Sequence, residues 1–318
     1  MRLKNSKAML TGMPVFVTGS TGYVGRNVVI GLIEEGAIPH LLVRDGGKRC
    51  VPKGPAGCVI HLYDGSIESV IKAMRDARPH LVFHLASLFL AEHTAVDVSP
   101  LCRSNIEFGM QVCEAMSVTG VDRLVNVGTF WQNYENRDYD PVNLYAATKQ
   151  AMEEIIRFYV NAVGFSCVTL RLCDTYGPAD PRRKLFSVLK EAAVSEKKLS
   201  MSPGTQLMDL VHVNDVVKAF LIAGKRLLCS SRSVYEVFAV RSGQPKALHD
   251  VVQLFLELGG LEVDIQWGGR PFRRREFMGE WTTVDVLPDW APRIPLQKGL
   301  KTLFGVAHDK SELGRVAY

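Results

Sequence analysis

The chain has 318 residues, 47% of them hydrophobic and 22% charged, with 27 glycines and 15 prolines. That apolar content excludes intrinsic disorder, and the absence of a collagen or heptad pattern excludes fibrous assembly. The net charge of +5 is gathered in Arg182–Lys184 and Arg270–Arg275, without the interleaved aromatics of a nucleic-acid surface. It fits a small polyanion better, with solvated surface charge as the alternative.

No apolar run of about 18 residues occurs, so no membrane-spanning helix is expected. Met1–Gly12 lacks the apolar core of a cleavable leader. The cysteines at 50, 58, 102, 113, 167, 173 and 229 form no C-x-x-C pair and mostly sit in apolar runs. Free thiols in a reducing, cytoplasmic compartment are expected, with no metal site.

In chain order, Pro14–Thr18 reads as a short β-branched strand. Gly19-Ser-Thr-Gly22-Tyr-Val-Gly25 follows, and Val24, Val28, Val29, Leu32 and Ile33 then repeat at helical spacing up to Gly36. Strands are expected at His40–Val43, Val59–Leu62, His80–Ala86, Arg123–Val127 and Ser166–Leu172. Helices are expected over 67–78, 105–117 and 145–163. This alternation predicts an α/β fold with a doubly wound parallel sheet. After residue 173 the pattern loosens, apart from Val234–Val240. Residues 13–172 are therefore assigned to a dinucleotide-binding domain, to which 234–240 returns. Residues 173–233 and 241–318 are assigned to a smaller, partly interwoven substrate lobe.

Gly19, Gly22 and Gly25 at a strand-to-helix turn suit a dinucleotide. The first permits the tight turn, the second admits a pyrophosphate, the third lets helix pack on strand, and the helix N-terminus favours the anion. Gly19, Thr21, Gly22, Tyr23, Val24 and Gly25 are expected to line this site. Arg44 ends the second strand, where a binder of NAD usually carries an acid. Paired with Lys48 or Arg49, it suits the 2′-phosphate of NADP, with Asp45 as a displaced ribose ligand in the alternative. Tyr145 and Lys149 stand at i and i+4 on one helical face. A free phenol near pKa 10 exchanges protons poorly at neutral pH. A neighbouring ammonium, together with the nicotinium charge, would bring it toward the working range, and the same Lys could hold the nicotinamide ribose. Thr129, at the carboxyl end of the fifth strand, would face the same crevice and polarise a carbonyl, or else simply cap a turn.

Together these residues resemble the extended short-chain dehydrogenases/reductases that act on nucleotide sugars. The resemblance covers nearly the whole chain through Gly19-x-x-Gly22-x-x-Gly25, Asp64, Phe83-His-Leu-Ala86, Asn105, Thr129, Tyr145-x-x-x-Lys149, Arg171-x-x-x-x-Tyr176-Gly-Pro178 and Asp209–Asp215. Within the family, Leu172–Arg182, Arg270–Glu276 and Val286–Trp290 look like the subgroup containing CDP-abequose synthases and related 4-keto-6-deoxy-sugar reductases. The resemblance implies a Thr129/Tyr145/Lys149 catalytic group, with Asp64, Leu85 and Ala86 lining the cofactor site. It also implies a homodimer and a CDP- or dTDP-linked sugar as partner; the charge pattern and the lack of a long apolar run already point away from nucleic acid and membrane. Asp174 replaces an Asn common in epimerases, and Met208 an Arg that often grips the diphosphate. That load would pass to Arg273, helped by Arg182. Family dehydratases place Asp-Glu directly after this Thr, whereas Phe130 and Trp131 stand here and would wall the sugar. The expected reaction is NADPH-dependent reduction of a 4-keto-6-deoxy sugar nucleotide. Alternatives are a 4-epimerase with bound NAD and, less favoured by Tyr145 and Lys149, a non-catalytic dinucleotide sensor.

Overall fold

The computed structural model describes residues 9–44, 57–231 and 233–305. Strands β1 (Pro14–Thr18), β2 (Ile38–Arg44), β3 (Val59–Tyr63), β4 (Leu81–His84), β5 (Arg123–Thr129) and β6 (Ser166–Leu172) come first. Interleaved with them are helices α1 (Tyr23–Glu34), α2 (Ile67–Ala77), α3 (Val98–Cys102), α4 (Phe108–Thr119) and α5 (Leu144–Val163). The chain then makes short strands β7 (Asp174–Tyr176), β8 (Leu199–Ser200), β9 (Leu207–Met208) and β10 (Leu210–His212), with helices α6 (Leu185–Ser195) and α7 (Val213–Cys229). It continues through β11 (Tyr235–Val240), β12 (Lys246–Ala247), α8 (Leu248–Gly259), β13 (Ile265–Gln266) and α9 (Leu296–Lys301).

Seven strands form a parallel sheet in the order β3-β2-β1-β4-β5-β6-β11. The order reverses between β1 and β4, so a crevice opens at their carboxyl ends, the usual ligand position in such sheets. The strands are apolar on both sides because helices cover both faces. Val15, Val17, Leu41, Leu81, Phe83 and Val125 pack with Val28 and Leu32 of α1 and with Val216 and Phe220 of α7. Phe16, Leu42, Val82 and Leu124 pack on the opposite face with Met74, Val112, Met116, Met152 and Ile156. Each such side chain contributes about 1.5–3 kcal/mol by leaving water. A third cluster, including Leu189, Leu210, Val251, Phe255 and Leu300, lies among the elements after β6.

Three elements differ from their sequence reading. The helix expected from Asn105 begins at Val98 and passes through a π-helical turn, Arg103–Glu107, before α4. Strand β4 stops at His84 rather than Ala86, because both Asn105 side-chain groups bind the Leu88 backbone and turn the chain away. Helix α7 falls in the segment 173–233 assigned to the second lobe, yet it packs beside α1 on the main sheet. Bringing the chain from β6 to its parallel neighbour β11 requires a crossover that covers the sheet, and α7 is the helix of it that does so. Among the described cysteines, Cys58, Cys102, Cys113, Cys167, Cys173 and Cys229 are free thiols. No helix among the described residues is long and apolar enough to cross a membrane.

Candidate active site

The turn after β1 is shaped by close backbone approach. Gly19 has φ +71°, and a Cβ there would lie 2.6 Å from the Leu85 carbonyl carbon and closer still to the Ala86 nitrogen. A Cβ on Gly25 would collide with the Gly19 carbonyl, which explains the third glycine as the contact of α1 with its own turn. Gly22 caps α1 in an extended conformation, and the first turn of α1 carries no acidic residue to offset its positive end. Thr21 and Gly22 are exposed, while Val24 is half-buried. The buried Ser20 hydroxyl has no hydrogen-bond partner. A buried hydroxyl left over beside open backbone amides fits a dinucleotide phosphate, so these residues suit the group.

Helix α5 starts at an Asn143 cap, whose carboxamide oxygen accepts from Ala146 N. The first turns of α5 place Tyr145 and Lys149 in the interior, 8% and 1% exposed. Asn105, from the π-helical turn, donates to Thr148 Oγ1 at 2.9 Å and so joins the β4 loop to this helix. Burial pushes the Tyr145 phenol up to about 12, against lowering by the Ser87 hydroxyl and the Arg182 charge. Lys149 is not among its lowering influences, in contrast to the sequence reading. The ammonium instead interacts with Glu153, one turn further along α5, while burial lowers it to about 8. Beneath them His84 Nδ1 lies 2.9 Å from Thr18 Oγ1, and burial, then Lys149, holds His84 near 3 and therefore neutral.

Thr129 ends β5 and caps the 3-10 turn Phe130–Gln132, its Oγ1 accepting from Trp131 N at 3.3 Å. The capping alternative is thus real, but it uses the oxygen as acceptor and leaves the hydroxyl proton to be donated. Phe130 meets Phe277 edge-on at 5.7 Å. Trp131 lies 5.5 Å from Phe89, which meets the Tyr145 ring edge-on at 5.0 Å. Phe89 is 45% exposed and was not singled out from sequence, where only an aromatic in a loop is visible.

At the rim, Arg44 is exposed at the end of β2, and none of the ion pairs among the described residues includes it. Asp45, Lys48 and Arg49 lie outside the described residues. Asp64, exposed after β3, accepts from Ser66 N and Oγ at 2.8 and 2.6 Å, which lowers its carboxyl. Leu85 and Ala86 form the opposite wall, with Ala86 N donating to Thr18 Oγ1. Tyr23 is buried and donates to the Pro178 carbonyl, while the Arg182 guanidinium lies 4.6 Å above its ring. Arg182 is also held by Asp180 and the Thr175 carbonyl. Asp174 faces Lys184 at 3.9 Å. Arg273 is exposed, its guanidinium 5.6 Å above the Trp131 ring.

A glycine-rich turn at the switch point of a Rossmann-type sheet defines the class, an α/β nucleotide-binding fold. Residues 15–235 match the NAD dependent epimerase/dehydratase family, and the chain belongs to it. It is 22% identical to the CDP-abequose synthase of Yersinia pseudotuberculosis, over 84% of this chain and 91% of that one. It is 25% identical to the UDP-glucose 4-epimerase of Lactobacillus helveticus, over 81% and 85%. The structure of the Thermus thermophilus UDP-glucose 4-epimerase in complex with NAD superposes with TM-score 0.76 at 23% identity, covering 92% of this chain and 97% of that one.

Proposed function

We propose that the chain reduces the 4-keto group of a nucleoside-diphosphate 4-keto-6-deoxyhexose, using NADPH. The observation that carries this reading is the aromatic wall of Phe89, Phe130 and Trp131 against Tyr145. It offers apolar surface to a methyl-bearing sugar carbon and holds no acid–base pair for expelling an oxygen from carbon 6. Arg44, with no ion-pair partner among the described residues, supports a 2′-phosphorylated cofactor. The likeness to CDP-abequose synthase supports the same reading.

When bound, the dinucleotide supplies the hydride that reduces the carbonyl carbon. Thr129 donates its hydroxyl proton to the carbonyl oxygen and polarises it. Tyr145, a neutral phenol at pH 7, gives its proton to that oxygen as negative charge develops, and is reprotonated from solvent. Lys149 remains mostly charged at neutral pH and holds the cofactor ribose. Arg273 and Arg182 grip the diphosphate. Exposed Met110, Phe158 and Val163 on α4 and α5 support pairing with a second copy, and the buried free thiols support a reducing cytoplasm.

The test is incubation of the purified protein and NADPH with 4-keto-6-deoxy sugars on different nucleotides. Stoichiometric loss of NADPH absorbance with formation of a 6-deoxyhexose is expected. Interconversion of two 4-hydroxy sugars without added cofactor would establish the 4-epimerase instead.

A further inference from the structure

Beneath the candidate catalytic group lies a buried polar cluster that no step above uses. Arg171 of β6 donates to both Glu153 oxygens, from Nη2 at 2.6 Å and from Nε at 3.2 Å, and the two side chains are 7% and 1% exposed. Gln132 bridges to the turn: its Nε2 donates to Glu153 Oε1 at 2.8 Å, and its Oε1 accepts from Thr129 N at 2.9 Å. Arg171 Nη1 donates to Asn133 Oδ1, and Asn133 in turn donates to the carbonyls of Arg137 and Asp138. A Cβ on Gly128 would lie 2.7 Å from Arg171 Cγ, 2.8 Å from Glu153 Oε1 and 2.9 Å from Gln132 Oε1. The residue before Thr129 is thus a glycine because the cluster occupies the space a side chain would take.

Glu153 also continues the row formed by Tyr145 and Lys149, one turn apart on the same helix. One carboxylate therefore touches the two elements whose relative placement matters, the Thr129 turn on β5 and the Tyr145–Lys149 face of α5. We propose that Glu153, anchored by Arg171, is a positioning residue that ties the Thr129 turn to the face of α5 carrying Tyr145 and sets its carboxylate one turn from Lys149. It touches neither substrate nor cofactor. The proposal rests on the reading of Thr129, Tyr145 and Lys149 as the catalytic group, not on the choice of sugar.

Charge is the reason an ion pair serves here where an apolar filling would be at least as stable. Lys149 sits in the interior, where burial favours its neutral form, and Glu153 is what raises it again. The other groups facing Lys149 give no such help, since His84 on β4 is neutral and Tyr145 on α5 is a protonated phenol. Arg171 holds that carboxylate in place through two hydrogen bonds.

The test uses the full chain with 13Cε-labelled lysine, the Lys149 resonance being assigned by its loss in Lys149→Met. Its midpoint is followed in the double variant Glu153→Gln/Arg171→Met, which removes both charges and leaves no lone buried ion. The expected result is a folded protein whose Lys149 titrates at least about one pH unit lower than in wild type. An unchanged midpoint in a folded double variant overturns the proposal. Gln132→Met keeps both charges and cuts only the link to the turn. Its Lys149 midpoint should equal wild type, while kcat for ketone reduction falls at least about tenfold at nearly constant KM; wild-type kcat overturns the positioning of Thr129. The lysine titration needs no substrate, so a wrong choice of reaction leaves it readable.

Discussion

Arg171 and Arg182 both stand near the candidate catalytic group, and they are held in opposite ways. Arg171 is almost wholly buried and bonded to Glu153, Gln150 and Asn133, residues brought in from α5 and from the loop after β5. Arg182 is one-third exposed, and its carboxylate partner Asp180 is two residues away in its own loop. Arg273 resembles Arg182, with its backbone near the Glu276 carboxylate and its side chain over Trp131. The floor of the crevice is thus locked by residues distant in sequence, whereas the rim is tied by near neighbours that can let go when a ligand competes. On the proposed function, rigidity falls where proton transfer would need geometry, and adaptability where anionic groups would enter.

Substitutions on each side should separate these roles. The largest effect is expected from Tyr145→Phe, which keeps the packed ring and removes the proton. Turnover should fall by about 10²–10⁴-fold with NADPH affinity nearly unchanged; near-normal turnover would mean that another acid acts. Next, Gly128→Ala forces a methyl into the floor cluster and should destabilise the fold by about 1–3 kcal/mol. Gly279→Ala, beside which nothing lies within 4 Å, should stay within about 0.5 kcal/mol. Equal shifts of the two denaturation midpoints would erase the contrast. At the rim, Arg44→Ala should weaken NADPH on the order of tenfold, with little change for NADH, in a binding titration. Equal loss for both cofactors would remove the 2′-phosphate assignment.

The smallest effect concerns pH. His84 is held near 3 in the folded protein, against an ordinary value of 6.5. The unfolded chain therefore binds a proton that the folded chain refuses. Stability from this group is complete above pH 6.5 and declines as pH falls below it, by about 1 kcal/mol at pH 5.5. His84→Asn, which retains a polar atom for Thr18, should flatten part of the fall in Tm between pH 7 and 5.5. An identical slope would show that other histidines carry it.

The glycine turn, Tyr145 with Lys149, and Thr129 were legible because their spacing is local, within one turn or one helix. The strands up to β6 were legible for the same reason, through short apolar runs between turns. Phe89 was not, because its place beside Tyr145 depends on Asn105 holding Leu88 from another element. The Glu153 cluster was hidden likewise. Its members are separated by 18 residues at each closest ionic contact, and a Glu on a helix ordinarily reads as surface. Helix α7 was overlooked although Val213, Val216, Val217, Phe220 and Leu227 are all buried. Its burial extends to Asp215, Gly224 and Lys225, so no clean polar face marked it.

The return of β11 to the sheet has a consequence for synthesis. Strand β6 finds its outer partner only after the chain has run from Leu172 to Tyr235. Until then its edge amides and carbonyls are open to another chain, and the apolar residues destined for α7 are uncovered as well. Such late, non-local parallel pairing slows folding and lengthens exposure of the edge. Truncation anywhere between those two strands should therefore yield aggregates rather than a smaller folded domain, and slower translation or lower growth temperature should favour recovery of the intact protein.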